Sequence, residues 1–290
     1  MRLIIGIIFV FACVLGGYAA MGGHVEVLWQ PWEFVIILGS AIGAYIIGNS
    51  GRVLKSTAGI FGTLFKGPSY KKAAYVELLG LQFSLYKLIQ AKGVLAIEPH
   101  IENPHESELF NRFPTFAKNH HAVEFMCDYL RMVTMGTNNA HEMDALMDEE
   151  LETMLSDKLK PYHAITAMGD SFPAIGIVAA VLGVIKAMGK INESPEVLGG
   201  LIGAALVGTM LGIILSYCVC NPLTSQIKVV RTKQHRLYTI VKQTLIAYMN
   251  GSVPQVALEY GRKTIGNGDR PSIDAVEQEM MNPGGESKAA

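Results

Sequence analysis

The chain has 290 residues, of which 50% are apolar and 17% are charged, and its mean hydropathy is +0.30. This composition is too apolar for an ordinary soluble domain and indicates a protein that spans a membrane. The formal net charge of -1 lacks the positive excess that nucleic-acid-binding proteins carry, which excludes that class of function.

Four apolar runs predict four membrane-spanning helices, because a helix needs about 20 residues to cross the hydrocarbon core of a bilayer. The first run has an alternative interpretation as a cleaved signal peptide, since Arg2 precedes it and Ala19 and Ala20 follow it. We favour a retained helix, because cleavage would leave three spans and move the tail across the membrane relative to the large loop. The predicted spans are residues 1–21, 34–50, 170–188 and 197–221.

The basic residues near the span ends predict the orientation. Arg52 and Lys55 follow the second span, and Lys228 follows the fourth. The loop between the first two spans has neither lysine nor arginine, so the positive-inside rule places both termini in the cytoplasm. The periplasmic segments are then residues 22–33 and 189–196, and the cytoplasmic segments are residues 51–169 and 222–290.

The large loop and the C-terminal region have helical patterns. Apolar residues recur every three or four positions from Tyr75 to Ile89, and Gly93 follows as a helix end. The fold class is therefore all-α, with four transmembrane helices and a large helical cytoplasmic domain. Further helices are predicted over residues 125–132, 143–155 and 227–249, with a loop at residues 99–104 and a flexible tail from residue 266.

Small residues recur at every fourth position of the last span. This spacing places them on one helical face, where another helix can approach closely. Gly176 is a small residue of the third span. The cores of all four runs lack ionisable residues, so an ion that crosses here needs a titrating group from another polypeptide. The simpler interpretation is packing within the chain or between identical subunits. The fourth-span residues are Gly200, Ala204, Gly208, Gly212 and Ser216.

No motif predicts an enzyme, a metal site or a cofactor site. His120 and His121 are adjacent, so on a helix they point in different directions and resemble a metal site only loosely, even with Cys127 nearby. His141 lacks the second histidine of a zinc-protease helix. A disulfide framework is not expected either, because the cysteines lie in predicted spans or the cytoplasm. They are Cys13, Cys127, Cys218 and Cys220.

Four sequence segments resemble the MotA family, the larger stator subunits of the bacterial flagellar motor. The likeness extends from Gly16 to Thr264, and four spans with a large cytoplasmic loop are also the layout of that family. The resemblance implies a ring of five copies in the bacterial inner membrane around two copies of MotB, whose aspartate passes ions while the ring pushes on the rotor protein FliG. The segments are residues 101–108, 147–150, 169–181 and 207–212.

The resemblance also implies roles for residues of the ion path. Pro173 and Pro222 match prolines that couple ion passage to movement, and Pro222 is expected to terminate or bend the fourth span. Thr209 matches a hydroxyl that faces the partner's carboxylate. Ala180 matches a position where sodium-driven relatives carry threonine, and its methyl group offers no oxygen ligand. The resemblance therefore favours protons over sodium.

The rotor-contact residues show one departure from the family. Glu98 matches an acidic contact residue, but Gln90 stands where well-studied relatives have an arginine. Lys87 lies three residues earlier and supplies a substitute charge if this stretch is helical. Glu150 aligns with another acidic contact residue, although its acidic run, residues 148–152, is by pattern alone typical of a solvated helix face.

Two alternative functions remain open at this point. The ExbB and TolQ family also surrounds a partner helix and uses the proton gradient, but its members usually have three spans and a different loop arrangement. The second alternative is a passive membrane scaffold or solute transporter. A transporter should show repeat symmetry and a polar site at mid-membrane, and this sequence shows neither.

Overall fold

The computed structural model describes residues 2–66 and 72–282, and within those ranges it is helical with no β-strand. Helices suit a membrane chain because they satisfy every backbone hydrogen bond locally. The helices are α1 (Arg2–Ala20), α2 (Pro31–Gly48), α3 (Gly51–Lys66), α4 (Lys72–Lys92), α5 (Glu98–Glu102), α6 (Glu108–Asn111), α7 (Pro114–Ala117), α8 (His120–Thr134), α9 (Ala140–Met188), α10 (Pro195–Ile213), α11 (Asn221–Met249), α12 (Pro254–Thr264) and α13 (Ile273–Met281). Short 3-10 segments are Val25–Leu28 and Val94–Ile97, and a π-helical segment is Ile214–Cys220.

The chain forms two compact units. The first, here called the membrane unit, comprises Met1–Gly67 and Lys158–Val229. The second, here called the soluble unit, comprises Pro68–Asp157 and Val230–Ala290. Helices α9 and α11 each begin in one unit and end in the other.

Four described helices are long and apolar enough to cross a membrane, as predicted. The sequence predicts two separate helices at residues 143–155 and 170–188, but the structure has one. Helix α9 contains both ranges and runs through 49 residues without interruption. The composition of α9 changes from polar to apolar along its length. Such a change does not break backbone hydrogen bonds, so it does not end the helix. The candidate spans lie in Leu3–Ala20, Val25–Gly48, Ala140–Met188 and Pro195–Met249.

The helix that contains the fourth span does not end at Pro222. The π-helical segment joins α10 directly to α11, which begins one residue before this proline. Proline has no N–H for the carbonyl four residues earlier, and the wider π turn that precedes it accommodates the missing hydrogen bond. The expected termination at Pro222 is therefore wrong, because the chain stays helical through this point.

The soluble unit packs around α4, most of which is buried. Its end at Lys92 follows the prediction, since Gly93 adopts a φ of +88° that residues with a Cβ rarely take. Gly251 ends α11 in the same way, with a φ of +88°. The loop predicted at residues 99–104 contains the short helix α5. Buried α4 residues in the core include Tyr75, Leu78, Leu79, Leu81, Phe83, Leu85 and Tyr86.

The tail predicted to be flexible from residue 266 is ordered as far as residue 282. Lys233 pairs with Asp269 at 2.7 Å, and Ser272 caps α13 by accepting a hydrogen bond from the backbone of Ala275. Helix α13 packs on α4 and buries Val276. The prediction is wrong here because a helix of only nine residues in a polar region can be held by tertiary contacts that its sequence does not reveal. Residues 283–290 lie outside the described ranges.

Candidate functional site

Helices α9 and α10 meet backbone to backbone in the membrane unit. A Cβ atom added to Gly176 would lie 2.9 Å from the carbonyl oxygen of Gly208 and 3.3 Å from the Cα of Gly212. A Cβ added to Gly212 would lie 2.5 Å from the carbonyl oxygen of Phe172. Only glycine permits this approach, so these three glycines form the contact between the two helices. We call the contact the glycine seam.

The small-residue face of α10 serves more than one purpose. Gly208, Gly212 and Ser216 are buried within the single chain, whereas Ala204 is half-buried. Gly200 is exposed, and a Cβ added there would meet no atom within 4 Å. The packing interpretation thus describes the inner part of this face, while the part around Gly200 is left open by its own chain.

The structure brings Ala180 and Thr209 to the glycine seam. The Cα of Thr209 lies 3.4 Å from a Cβ built on Gly176, and the backbone nitrogen of Ala180 lies 3.5 Å from a Cβ built on Gly208. Both residues are half-buried, so each is partly covered by its own chain. A partner helix could still reach them.

Pro173 and Pro222 differ in their distance along the chain from the glycine seam. Pro173 is half-buried inside α9, where its missing N–H leaves the carbonyl of Gly169 without its usual helical partner. Pro222 is exposed and lies beyond the π-helical segment. The structure therefore places Pro173 near the seam and Pro222 at a separate position on the chain.

Glu33 is a residue that the sequence analysis missed as part of this site. It lies in the first turn of α2, at the edge of an apolar run, yet a Cβ built on Gly208 would be 2.8 Å from its Oε2 atom. That oxygen is buried and has no hydrogen-bond partner among the described residues. The position of Glu33 at the end of an apolar run does not predict that its carboxylate reaches the glycine seam, because the direction of the side chain depends on how α2 packs.

The predicted rotor-contact residues lie on the surface of the soluble unit. Glu98 is the exposed first residue of α5. Lys87 is also exposed, and its ammonium lies 5.7 Å from the ring centroid of Phe83. Gln90 is exposed at the edge of a cavity of about 370 Å³ that Tyr248 also lines. All three side chains are accessible to another protein.

The acidic run is a solvated helix face that also makes specific contacts. The carboxylate of Glu150 accepts a hydrogen bond of 2.6 Å from the hydroxyl of Tyr129, and burial together with this bond raises the pKa of Tyr129. Asp148 and Asp144 both pair with the ammonium of Lys242, at 2.5 Å and 2.8 Å. Asp148 and Glu150 both remain exposed, so the interpretation as a solvated face holds for them although each also makes a specific contact. The sequence does not predict that Lys242 pairs with these aspartates, because Lys242 lies on a helix far along the chain.

The histidine pair does not form the metal site considered above. His120 contacts His105 instead, with 3.3 Å between ring nitrogens, while His121 lies near Glu124. Cys127 is buried, and burial raises the pKa of its thiol to about 12. Within residues 2–66 and 72–282, no three histidine, cysteine, aspartate or glutamate residues are grouped so that they could hold a metal ion.

Comparison with known proteins identifies the family. The family described as motility protein A N-terminal matches residues 4–93, and the MotA/TolQ/ExbB proton channel family matches residues 117–239. Motility protein A of Salmonella typhimurium is 40% identical over 280 residues, which cover 97% of this chain and 95% of that protein. The chain belongs to the motility protein A family.

Further relatives in the motility protein A family support the same assignment. Motility protein A of Escherichia coli is also 40% identical, with the same coverage of both chains. The fold is similar to a chain in the structure of C. jejuni MotAB, with a TM-score of 0.75, 18% identity and coverage of 93% of this chain and 98% of that one. The B. subtilis flagellar MotAB stator complex gives a TM-score of 0.67 at 25% identity, with coverage of 88% and 92%.

Membership of the motility protein A family decides between the functions left open by the sequence. The chain is a membrane subunit of the flagellar stator and belongs to a proton channel family, which is not an enzyme class. The wider family includes TolQ and ExbB, but the relatives with 40% identity over nearly the full length are motility proteins. The glycine seam and its neighbouring residues are thus the candidate ion path of a stator subunit.

Proposed function

We propose that five copies of this chain form a ring around two copies of a MotB partner and turn as protons pass between them. The observation that carries the proposal is the position of Thr209, half-buried beside the glycine seam, where a partner's carboxylate can approach a hydroxyl. The described parts of the four spans place no ionisable group at Thr209 other than the nearby Glu33. MotB would supply the aspartate that takes up and releases the ion.

The outward faces of the spans support assembly into a ring. The apolar window of α1 has no fully buried residue, and apart from one half-buried face its surface is available to lipid and to neighbouring copies. Gly200 is likewise left open, and a neighbouring helix can approach it closely. We assign Gly200 and Ala204 to contacts with a neighbouring subunit or the partner, and Gly176, Gly208 and Gly212 to packing within the chain.

The proposed location is the bacterial inner membrane, with both termini in the cytoplasm. The basic residues Arg52, Lys55 and Lys228 are exposed and would lie on the cytoplasmic side. Pro173 and Pro222 would couple ion passage to movement. Each removes a backbone hydrogen bond from a helix that otherwise continues, which leaves a point where the helix can change shape.

The proposed coupling ion is the proton. A sodium site needs several oxygen ligands, and the methyl group of Ala180 adds none beside Thr209. We expect this chain, produced with its MotB partner in a strain that lacks its own stator, to restore swimming in sodium-free medium. The speed should fall when the pH gradient and membrane potential are dissipated.

A matched control for this experiment is the variant Ala180→Thr, which adds one oxygen at the position in question. The parent chain should show no dependence of speed on sodium. Arrest of the parent in sodium-free medium with an intact proton gradient would overturn the choice of proton, and failure to swim in either medium would overturn the stator function with this partner.

The proposed rotor contact uses several surface charges of the soluble unit. Glu98 is exposed and presents its carboxylate outward, and Glu150 adds negative charge although Tyr129 holds it. Lys87 would replace the arginine that relatives carry at the position of Gln90. Exposed ion pairs are individually weak, so we assign these residues to steering of FliG rather than to one strong salt bridge.

Reversing the charge at Glu98 tests this surface. We expect Glu98→Lys to lower the torque at high load, because it replaces a negative charge of the proposed steering surface with a positive one. The control is Glu108→Lys, which reverses an exposed acid that also begins a short helix. A compensating charge change on FliG should restore part of the torque. Torque equal to that of the parent in Glu98→Lys would remove Glu98 from the rotor contact.

A further inference from the structure

The carboxylate of Glu33 is in an unusual position for a side chain of the membrane unit. Its Oε2 atom is buried and has no hydrogen-bond partner in the described part of the chain. The same oxygen lies so close to Gly208 that a methyl group there would be 2.8 Å away. Glu33 thus reaches from α2 to the glycine seam, at the level of Ala179 and Ala180.

The surroundings of Glu33 are mostly apolar. The core of the membrane unit includes Ile37 on the same helix, Ala179 on α9 and Leu211 on α10. Among residues 2–66 and 72–282, Lys186 is the basic residue whose charge acts on the Glu33 carboxylate. Adjoining elements also carry His24, Glu26, Asp170 and Glu196 among their charged or titratable side chains.

Glu77, a glutamate with a structural role in the same chain, has hydrogen-bond donors that the Oε2 atom of Glu33 lacks among the described residues. The carboxylate of Glu77 accepts hydrogen bonds from the backbone nitrogen of Thr115 at 2.7 Å, from the hydroxyl of Thr115 at 2.5 Å and from the backbone nitrogen of Phe116 at 3.1 Å. Those donors stabilise its ionised form. Glu33 has no such donors at Oε2, so burial of that oxygen penalises its charge, while the charge of Lys186 acts in the opposite direction.

We propose that Glu33 is a proton-binding residue on the route by which coupling protons reach Thr209 and the partner's carboxylate. The carboxylate of Glu33 takes a proton from a hydronium ion, which leaves a water molecule, and becomes a neutral carboxylic acid. It then gives that proton to the ionised carboxylate of the partner and returns to the charged form, so no proton is gained or lost. This inference rests on the proposed function and adds a titrating group from this chain itself.

Proton uptake by membrane vesicles that contain this chain and its MotB partner tests the inference. Under an imposed membrane potential, Glu33→Gln should lower the uptake per assembled complex by about 100-fold, the lower end for a residue that transfers protons in a catalysed step. Glu33→Asp keeps a carboxylic acid and should retain most of the uptake. The control Glu26→Gln neutralises an exposed acid of the adjoining segment and should behave like the parent.

Three results would overturn the role of Glu33. Uptake per complex in Glu33→Gln equal to that of the parent would exclude proton binding. A loss of total uptake that matches a smaller amount of complex in the membrane, with uptake per complex unchanged, would make Glu33 a folding residue. Recovery of uptake in the charge-swapped variant Glu33→Lys with Lys186→Glu would make it one half of an ion pair. Absence of uptake in the parent would overturn the proposed proton coupling together with this inference.

Discussion

Replacing Gly212 with valine is expected to prevent α9 and α10 from packing and to remove the folded chain from the membrane. The Cβ of the new side chain would lie 2.5 Å from the carbonyl oxygen of Phe172 and 3.2 Å from the Cα of Gly176. Both are backbone atoms, so no side-chain rotation can relieve the clash. Insertion of bulk into a tightly packed core costs about 1–3 kcal/mol, and the backbone contact places this variant at the upper end or above.

The measurement is the amount of membrane-inserted chain and its thermal unfolding midpoint in detergent. The matched control is Gly199→Val in the same helix, because a Cβ at Gly199 would meet no atom within 4 Å. We expect that control to unfold at nearly the temperature of the parent. If Gly212→Val unfolds at the same temperature as Gly199→Val, the close contact between α9 and α10 does not exist in the membrane.

Removal of both partners of Lys242 is expected to destabilise the soluble unit. The side chain of Lys242 is only 4% exposed and pairs with Asp144 at 2.8 Å and Asp148 at 2.5 Å. The double variant Asp144→Asn with Asp148→Asn leaves a buried ammonium without a counter-charge, and such a change typically costs about 3–5 kcal/mol. The side chains of the two aspartates are 38% and 66% exposed, so solvent screening favours the lower figure.

Amide hydrogen exchange in α11 of the full chain measures this effect. The control is the triple variant that adds Lys242→Met, which removes the buried charge and should recover most of the lost protection. Equal exchange rates in the parent and the double variant would show that the ammonium does not depend on the two carboxylates. Fast exchange that persists in the triple variant would assign the loss to the carboxylates themselves.

The same ion pairs have a defined dependence on pH. Burial alone would lower the pKa of Lys242, but hydrogen bonds from its ammonium to Asp144 and Asp148 outweigh burial and raise the pKa. The stabilisation is therefore fully present below the ordinary lysine pKa of about 10.4 and is lost as the pH rises through the raised value. In the double variant only burial remains, so its stability relative to the parent should increase as the pH rises.

Composition and local pattern determined the class of this protein and most of its helices. An apolar run of span length must leave water, and glycine after an amphipathic stretch ends a helix because it alone readily adopts a positive φ. The ends of α4 and α11 at Gly93 and Gly251 follow from that local rule. The resemblance to the stator family also rests on short contiguous segments, and these are visible in a sequence without any knowledge of tertiary contacts.

Tertiary structure alone decided which charged groups meet. Asp148 and Glu149 are exposed neighbours in one acidic run, yet Asp148 pairs with the buried Lys242, which lies far along the chain. Glu33 stands at the edge of an apolar run, yet its carboxylate lies against Gly208. Hydropathy and helical period describe one segment at a time. Ion pairing and burial depend on distances between segments far apart in the chain, and those distances exist only once the helices have packed.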